Sequence, residues 1–469
     1  MITRCIRLLL TPRRVRPVLV LWLLGMGLLL AAPATAQQAR QITFNEAVRL
    51  ALERNPALQR AANSVDLQQI QVTSSRANYY PTLNFSTSGR QSYGRTFSQE
   101  DLSFVNQTTK SASFSLGTSV TLFDGFARRS SLEEAKLGLE ARDLDYQRQR
   151  QAIVFNVMSA YLQLIERQEQ VRIQEENLEA QRLLLAQIEE FVRVGARPIS
   201  DQFQQQAQVA SAELALLNAQ RLVQITEAGL IQTIQLDPFG RYEFVAPSVE
   251  EAPFVPDTFD VQTLLQQAFT RRADLQARDY DIRAARSAIQ VAKSSIWPSL
   301  SLSGGYGTGW NSRFRDPENP TQTAAFFDQL DQQRGGSVSL SLSLPIFDRF
   351  TTRNNTQRAE VQYENARLEL ESLQQDIAVQ VRQAYLDYQT AAKELDVTEK
   401  QLAAAELALE AEQERYNVGA STLVELTQAQ ANYVRAAADR VSARYGFLFQ
   451  EKLIEYYLGV LDPSQPLFR

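Results

Sequence analysis

The 469-residue sequence contains no histidine and only one cysteine, Cys5. These absences exclude Ser-His-Asp and Cys-His nucleophilic sites, internal disulfides and zinc sites of the usual His/Cys kind. The glycine-rich run at residues 304–309 does not fit a dinucleotide-binding fingerprint, and the sequence has no P-loop. We therefore predict a protein that is not an enzyme and that needs no catalytic residue, metal or cofactor.

Glycine and proline are also scarce, with 19 and 16 residues in the whole chain. Few such residues predict long, uninterrupted secondary-structure elements. The hydrophobic content of 44% supports a sizeable buried surface, whereas 22% charged residues and a mean hydropathy of −0.28 are not those of a helical membrane bundle. If the chain crosses a membrane, its spanning segments must therefore have a weaker sequence pattern than the long apolar runs of transmembrane helices.

The first 36 residues have the features of a secretory signal peptide. Five arginines precede or border an apolar run at residues 18–32, and Ala34-Thr35-Ala36 fits a cleavage site. The alternative is an N-terminal membrane anchor, but the apolar run is shorter than the roughly 20 residues that a spanning helix needs. Removal of this segment would leave a net charge of −10, which disfavours nucleic acid as a partner.

The sequence contains an internal repeat. Residues 51–83 align with residues 268–300 at an offset of 217, and a later block, which includes Val194-Gly195 and Val418-Gly419, aligns at an offset of 224. The seven additional residues of the second copy are expected around residues 314–334. The predicted organisation is a signal peptide (1–36), a first repeat (37–237), a Pro-spaced linker (238–259), a second repeat (260–463) and a C-terminal tail (464–469).

Each repeat is predicted to contain a helix, a β-hairpin, a long helix and a further helix. Residues 127–192 and 359–416 lack proline and glycine except for Gly138, and a helix of 66 residues is about 100 Å long. In the second copy, apolar positions recur with the 3.5-residue period of a coiled seam: Val381, Ala384, Tyr388, Ala391, Leu395, Thr398, Leu402, Ala405 and Leu409. Helices of this length need packing partners along their whole extent.

The predicted strands alternate between apolar and hydroxyl side chains, as residues 113–120 and 337–344 show. A soluble sheet is one interpretation of this pattern. Transmembrane barrel strands have the same alternation over about 9–11 residues, and we expect that length for all four strands. The signal peptide and the aromatic residues near the strand ends favour a barrel, with Leu340, Leu342 and Leu344 facing lipid and the serines between them facing the lumen. Pro81 and Pro298 mark the expected change from helix to strand.

Four strands cannot close a barrel, because unpaired backbone groups are costly in hydrocarbon. Two copies would give eight strands and a filled interior, whereas three would give twelve and begin to leave a lumen. A conduit therefore favours a homotrimer.

Three short motifs occur once in each repeat: Tyr80-Pro81-Thr82-Leu83 and Trp297-Pro298-Ser299-Leu300, Phe123-Asp124 and Phe347-Asp348, and the two Val-Gly pairs. In this order they resemble the motifs of the TolC-like outer membrane factor family, and the resemblance extends from about residue 42 to residue 463. The resemblance implies a mainly α fold with transmembrane β: two tandem repeats form a long α-helical coiled-coil barrel and add four β-strands per chain to a shared trimeric β-barrel. It also implies an exit duct of a tripartite efflux pump or type I secretion system in the cell outer membrane. Its partners would be outer-membrane lipid, a periplasmic adaptor and an inner-membrane transporter.

The same resemblance assigns candidate site residues. The turns Val194-Gly195-Ala196 and Val418-Gly419-Ala420 would dock the adaptor, and Asp201 with Glu425 would form the periplasmic constriction. The local alternative is that each glycine ends a helix and each acid begins one, since Thr422 and Glu425 have the spacing of a capping box. The family pattern has an arginine and further acids where this chain has Ser421 and Gln428, while Arg197 lies in the first turn.

A periplasmic coiled-coil adaptor or structural spacer without a pore is the alternative function. Two copies of a hairpin with alternating serines are not expected in such a protein.

Overall fold

The computed structural model describes residues 40–98, 102–245, 260–316, 319 and 321–461. The predicted signal peptide and C-terminal tail lie outside these residues, as does the part of the predicted linker at residues 246–259.

The described residues form nine helices and six strands. In chain order these are β1 (Arg40–Ile42), α1 (Phe44–Arg54), α2 (Pro56–Ala77), β2 (Thr82–Ser98), β3 (Ser103–Asp124), α3 (Ala127–Arg193), α4 (Ile199–Thr233), β4 (Tyr242–Phe244), α5 (Val261–Arg271), α6 (Ala273–Ser294), β5 (Ser299–Asn311), α7 (Phe326–Gln332), β6 (Gly335–Ser343), α8 (Thr351–Asn417) and α9 (Leu423–Tyr457).

The internal repeat is present in the helices. The bounds of α1 and α2 recur 217 residues later in α5 and α6, and those of α3 and α4 recur 224 residues later in α8 and α9. The offset changes inside the hairpins, where residues 95–110 of the first copy correspond to residues 312–334 of the second. The predicted position of the seven additional residues is therefore confirmed.

The helix before each hairpin is divided in two, so the prediction of a single leading helix was wrong. In the first copy, α1 ends at Arg54 and α2 begins at Pro56, which has no N–H to continue the hydrogen bonding of α1. The side chain of Asn55 caps α2 by accepting a hydrogen bond from the Ala57 amide at 2.8 Å. Local hydrogen bonding thus restarts the helix.

The two long helices, α3 and α8, each contain 67 residues and are therefore about 100 Å long. Helix α3 packs along α2, α4 and α6, and α8 packs along α6 and α9. The first five members of the predicted seam, from Val381 to Leu395, are buried, and the remaining four are half-buried. In the part of the chain that the structure describes, no helix is both long and apolar enough to cross a bilayer.

A small parallel sheet lies beside α3. It pairs β1 with β4, although β4 falls in the segment predicted to be an irregular linker. Phe244 of β4 is buried against Tyr161, whose hydroxyl donates a hydrogen bond to the Val245 carbonyl at 2.6 Å. Burial raises the pKa of Tyr161 to about 12. Packing on this tyrosine, rather than a local turn pattern, accounts for the strand.

The large sheet has the order β2-β3-β5-β6, and all neighbouring strands are antiparallel. The strands contain 17, 22, 13 and 9 residues, so the expected length of about 9–11 residues holds for β6, is slightly exceeded by β5 and was wrong for the first hairpin. There the pairing continues without a register shift to Ser98 opposite Ser103, and the rings of Phe97 and Phe104 contact across it at 5.4 Å. Cross-strand packing therefore extends β2 and β3 beyond the alternating segments. Leu344 lies just past the end of β6.

Candidate functional site

The predicted docking turns lie at the tips of two helical hairpins, α3–α4 and α8–α9. At the first tip, the Ala196 amide donates to the Phe191 carbonyl at 2.8 Å and the Gly195 amide donates to the Val192 carbonyl at 3.0 Å. Gly195 has a φ of 74°, and its counterpart Gly419 has a φ of 75°. The second tip repeats these hydrogen bonds, which define a Schellman motif that only a left-handed residue can complete.

Each tip exposes an apolar side chain. Val194 is 66% exposed and Val418 is 77% exposed. Both valines directly precede the glycine that reverses the chain, at the ends of α3 and α8 that are far from the sheet. The tips therefore place an apolar group where a partner can reach it.

The two candidate constriction residues begin the helices that follow the tips. Glu425 completes a capping box: its Oε2 accepts from the Thr422 amide at 2.8 Å, and its own amide donates to the Thr422 hydroxyl at 3.3 Å. The hydrogen bonds from the Thr422 backbone and side chain hold the pKa of the Glu425 carboxyl below its ordinary value. Asp201 lies in the first turn of α4, where its amide donates to the Pro198 carbonyl at 3.1 Å. The predicted capping role is confirmed for Glu425, which is exposed.

The two tips lie against each other. Ile188 of α3 packs with Tyr416 of α8 and with Leu423 and Leu426 of α9 in one buried cluster. The fold therefore brings together two turns that are more than 200 residues apart in the sequence.

A contact that the sequence did not predict joins these tips. The guanidinium of Arg197 lies over the ring of Tyr416, 4.5 Å from its centroid, and donates to the Tyr416 carbonyl at 3.4 Å. Burial raises the pKa of the Tyr416 hydroxyl, and the nearby charge of Asp201 raises it further, against the opposing effect of Arg197. Arg197, Tyr416 and Asp201 thus form one group at the junction. The sequence contained one sign of this contact: Arg197 is not repeated in the second copy, where the equivalent residue is the buried Ser421.

The large sheet provides the second functional surface. One face carries hydroxyl groups, which hydrogen bond across the strands between Ser86 and Ser115 at 2.7 Å and between Ser303 and Ser339 at 2.8 Å. The other face carries apolar residues, as the pairing of Leu302 with Leu340 shows. The alternation predicted for single strands is therefore continuous across the sheet.

Comparison with known proteins gives a consistent result. A family model described as "Outer membrane efflux protein" matches residues 47–234 and 264–459. Among curated proteins, the chain is similar to Protein CyaE of Bordetella pertussis, with 26% identity over 86% of this chain and 81% of the relative. It is also similar to Outer membrane protein TolC of Escherichia coli K12, with 25% identity over 88% of this chain and 81% of the relative.

Among solved structures, the fold is similar to that of the CmeC outer membrane channel of Campylobacter jejuni. The TM-score is 0.75, the identity is 17%, and the match covers 90% of this chain and 87% of that one.

Proposed function

The chain belongs to the outer membrane efflux protein family, and we propose that it is the exit duct of a tripartite efflux pump or type I secretion system. It is a channel protein of the outer membrane rather than a spacer without a pore. The observation that carries the proposal is the two-faced sheet at one end of helices about 100 Å long. A barrel built from this sheet would have lipid on its apolar face and water on its hydroxyl face.

The direct test of the duct is ion conductance of the purified protein in planar lipid bilayers. A duct gives discrete conductance steps. An inserted, folded protein that gives none would contradict the proposal.

The chain would work as a homotrimer, because β2 and β6 are the outer strands of an open sheet. In a barrel these edges must pair with other copies, since an unpaired edge is costly in lipid. Three copies supply twelve strands and leave a lumen.

The contact between copies can be inferred from a contact inside the chain. Helix α6 of the second repeat packs along α3 of the first. Because α2 corresponds to α6, and α8 corresponds to α3, the α2 helix of a neighbouring copy is expected to pack along α8 in the same way. The internal repeat thus provides a template for the interface.

The ion pairs of the template cannot form at the equivalent positions, because neither of the two arginines is present there. Between α3 and α6, ion pairs join Arg142 to Asp281 at 3.2 Å and Arg278 to Asp145 at 3.5 Å. The positions equivalent to Arg142 and Asp281 are Ala366 on α8 and Ser64 on α2.

Exposed apolar residues lie close to these positions on the two helices. On α8, Val361 and Leu368 are 60% and 55% exposed, and on α2, Leu67 and Ile70 are 68% and 60% exposed. The register of the template places Val361 opposite the segment between Leu67 and Ile70 of the neighbouring copy. Burial of such side chains stabilises an interface by about 25 cal/mol per Å².

Engineered disulfides test this interface, because the only native cysteine lies in the predicted signal peptide. We expect Leu67→Cys with Val361→Cys, or Ile70→Cys with Val361→Cys, to give oxidised dimers and trimers on non-reducing gels. The control is Leu67→Cys with Val397→Cys, which is also exposed but lies 36 residues further along α8. Equal cross-linking in the control would contradict the register, and a monomer in lipid bilayers would contradict the trimer itself.

Asp201 and Glu425 would form the periplasmic constriction. Threefold assembly would place up to six carboxylates around the axis, and the capping box supports ionisation of Glu425. We expect Asp201→Asn with Glu425→Gln to reduce cation selectivity and block by multivalent cations, while Gln at position 425 retains the cap. Glu53→Ala with Glu243→Ala, away from the tips, is the control. Unchanged selectivity in the first variant would leave both acids with a structural role alone.

The tips Val194-Gly195-Ala196 and Val418-Gly419-Ala420 would dock the periplasmic adaptor of the pump, which in turn connects to the inner-membrane transporter. The exposed valines are the basis of this assignment. We expect Val194→Asp with Val418→Asp to prevent co-purification of the adaptor while conductance is retained. Normal adaptor recovery with this variant would place the docking surface elsewhere.

A further inference from the structure

The connection between β5 and β6 contains α7, a short helix that no pattern in the sequence predicted. Strand β6 begins at Gly335, opposite Gly307, so the end of β5 from Thr308 to Asn311 extends beyond it. In the first copy the corresponding part of the hairpin is still paired as strand. Helix α7 lies beside the part of β5 that extends beyond β6.

Hydrogen bonds fix α7 to β5. The Thr308 hydroxyl donates to the Leu330 carbonyl at 2.5 Å, and the Asn311 amide donates to Oε1 of Gln329 at 2.8 Å. Gln329 is fully buried, and its Nε2 donates to the Ala324 carbonyl at 2.8 Å. The helix is thus held in one position by buried polar contacts.

The contacts of α7 place it on the apolar face of the sheet. The ring of Phe326 lies 6.5 Å from that of Phe114 and 6.1 Å from that of Trp310. Phe114 is opposite Thr308, in the same alternating row as Leu302 and its partner Val120. In the proposed barrel, this row would face lipid. Next to Phe326, the side chain of Phe327 is 79% exposed.

In the proposed barrel, the height of α7 would match the outer boundary of the bilayer. In β5, Trp310 lies eleven residues after Ser299, and eleven steps of about 3.3 Å at a tilt of about 40° give a height of roughly 28 Å. The apolar band of outer-membrane barrels is about 25 Å tall and has aromatic residues at both edges. Trp297 lies at the lower edge and Trp310 at the upper edge, where the equivalent residue of the first copy is Tyr93, 80% exposed.

We propose that α7 is an interfacial anchor that inserts Phe326 and Phe327 into the outer boundary of the bilayer, with lipid as its partner. It supplies apolar surface at the height where β6 has already ended. The charged residues of the same segment can remain in water, and Arg334 pairs with Asp331 at 2.7 Å. The proposal rests on the proposed function, because it requires the apolar face of the sheet to contact lipid.

The test uses single tryptophans and lipids that carry bromine at known depths. Trp297→Phe and Trp310→Phe remove the tryptophans of the described residues, and Phe327→Trp adds one on α7. In phosphatidylcholine vesicles, bromines near the carbonyl end of the acyl chains are expected to remove about half of its emission, since interfacial aromatic residues lie about 5–10 Å deep. Bromines near the chain ends should quench it less, and aqueous iodide should quench it weakly.

Two further single-tryptophan variants, also without Trp297 and Trp310, distinguish a failure of the anchor proposal from a failure of the proposed duct. Val338→Trp, on the apolar face near the middle of the sheet, should be quenched most by the deep bromines, and Val418→Trp, at a hairpin tip, only by iodide. If Val338→Trp is quenched by lipid while Phe327→Trp responds to iodide alone, or to neither agent, the anchor is refuted and the duct stands. If Val338→Trp also shows no lipid quenching, the barrel assignment fails with it.

Discussion

Replacement of Gly125 by alanine should weaken the junction between the sheet and the helices. Gly125 is buried between β3 and α3 with a φ of 65°. A Cβ at this position would lie 2.5 Å from the Ser294 carbonyl oxygen and 2.7 Å from the Trp297 Cβ. Both distances are shorter than real Cβ contacts, so the end of α6 would have to move away.

Two separate costs contribute to the expected effect. A residue with a Cβ in the left-handed conformation costs about 1–2 kcal/mol. Overpacking against neighbouring atoms typically costs a further 1–3 kcal/mol or so. We therefore expect Gly125→Ala to lower the free energy of unfolding by about 2–5 kcal/mol.

Two other glycines provide matched controls. Gly195 has a similar φ of 74°, and no described atom lies within 4 Å of its Cβ position, so Gly195→Ala should show only the conformational cost. Gly117 in β3 has neither a positive φ nor a described atom within 4 Å, and Gly117→Ala should be close to neutral.

The measurement is thermal unfolding in detergent, followed by the helical circular dichroism signal. The expected order of melting temperature is Gly117→Ala highest, then Gly195→Ala, then Gly125→Ala. Equal melting of the Gly125 and Gly195 variants would show that contact with Ser294 and Trp297 has no effect, and would refute the packing argument.

Further predictions concern the sheet and the second hairpin tip. Leu340→Arg should destabilise the inserted protein by about 2–4 kcal/mol if it lies near the bilayer midplane, whereas Ser341→Arg should mainly change conductance. Refolding and single-channel assays measure these effects, and reversed effects would mean that the lipid and lumen faces are assigned the wrong way round. Thr422→Ala should destabilise α9 by about 1 kcal/mol through loss of the cap, measured by denaturant unfolding, and no loss would mean that the capping box contributes nothing. The pKa of Glu425 in the folded protein is below its ordinary value of 4.5. The contribution of Glu425 to the free energy of unfolding should therefore be constant above pH 4.5 and decline as the pH falls through the pKa of the folded protein. In Thr422→Ala this acid-dependent part should shrink, and an unchanged pH profile would contradict the assignment.

The helical part of the fold could be predicted closely from the sequence. The scarcity of glycine and proline, the 3.5-residue period and the internal repeat gave the long helices, and Pro81 and Pro298 gave the places where helix changes to strand. The division of the leading helix at Pro56 was missed, although proline at that position is a local signal. The family motifs indicated the fold and the channel function, which the family match supports independently.

The sequence alone determined the features that depend on neighbours a few residues away: helical and strand periods, the turns at Gly195 and Gly419, and the capping box at Thr422. Only the tertiary structure decided the features that join distant segments. The pairing of β1 with β4, the contact of Arg197 with Tyr416 and the position of α7 on the sheet all belong to this second group. The physical reason is that local hydrogen bonding and side-chain periodicity are determined by residues that are close together in the sequence. A contact between residues 219 positions apart, by contrast, depends on how whole helices pack.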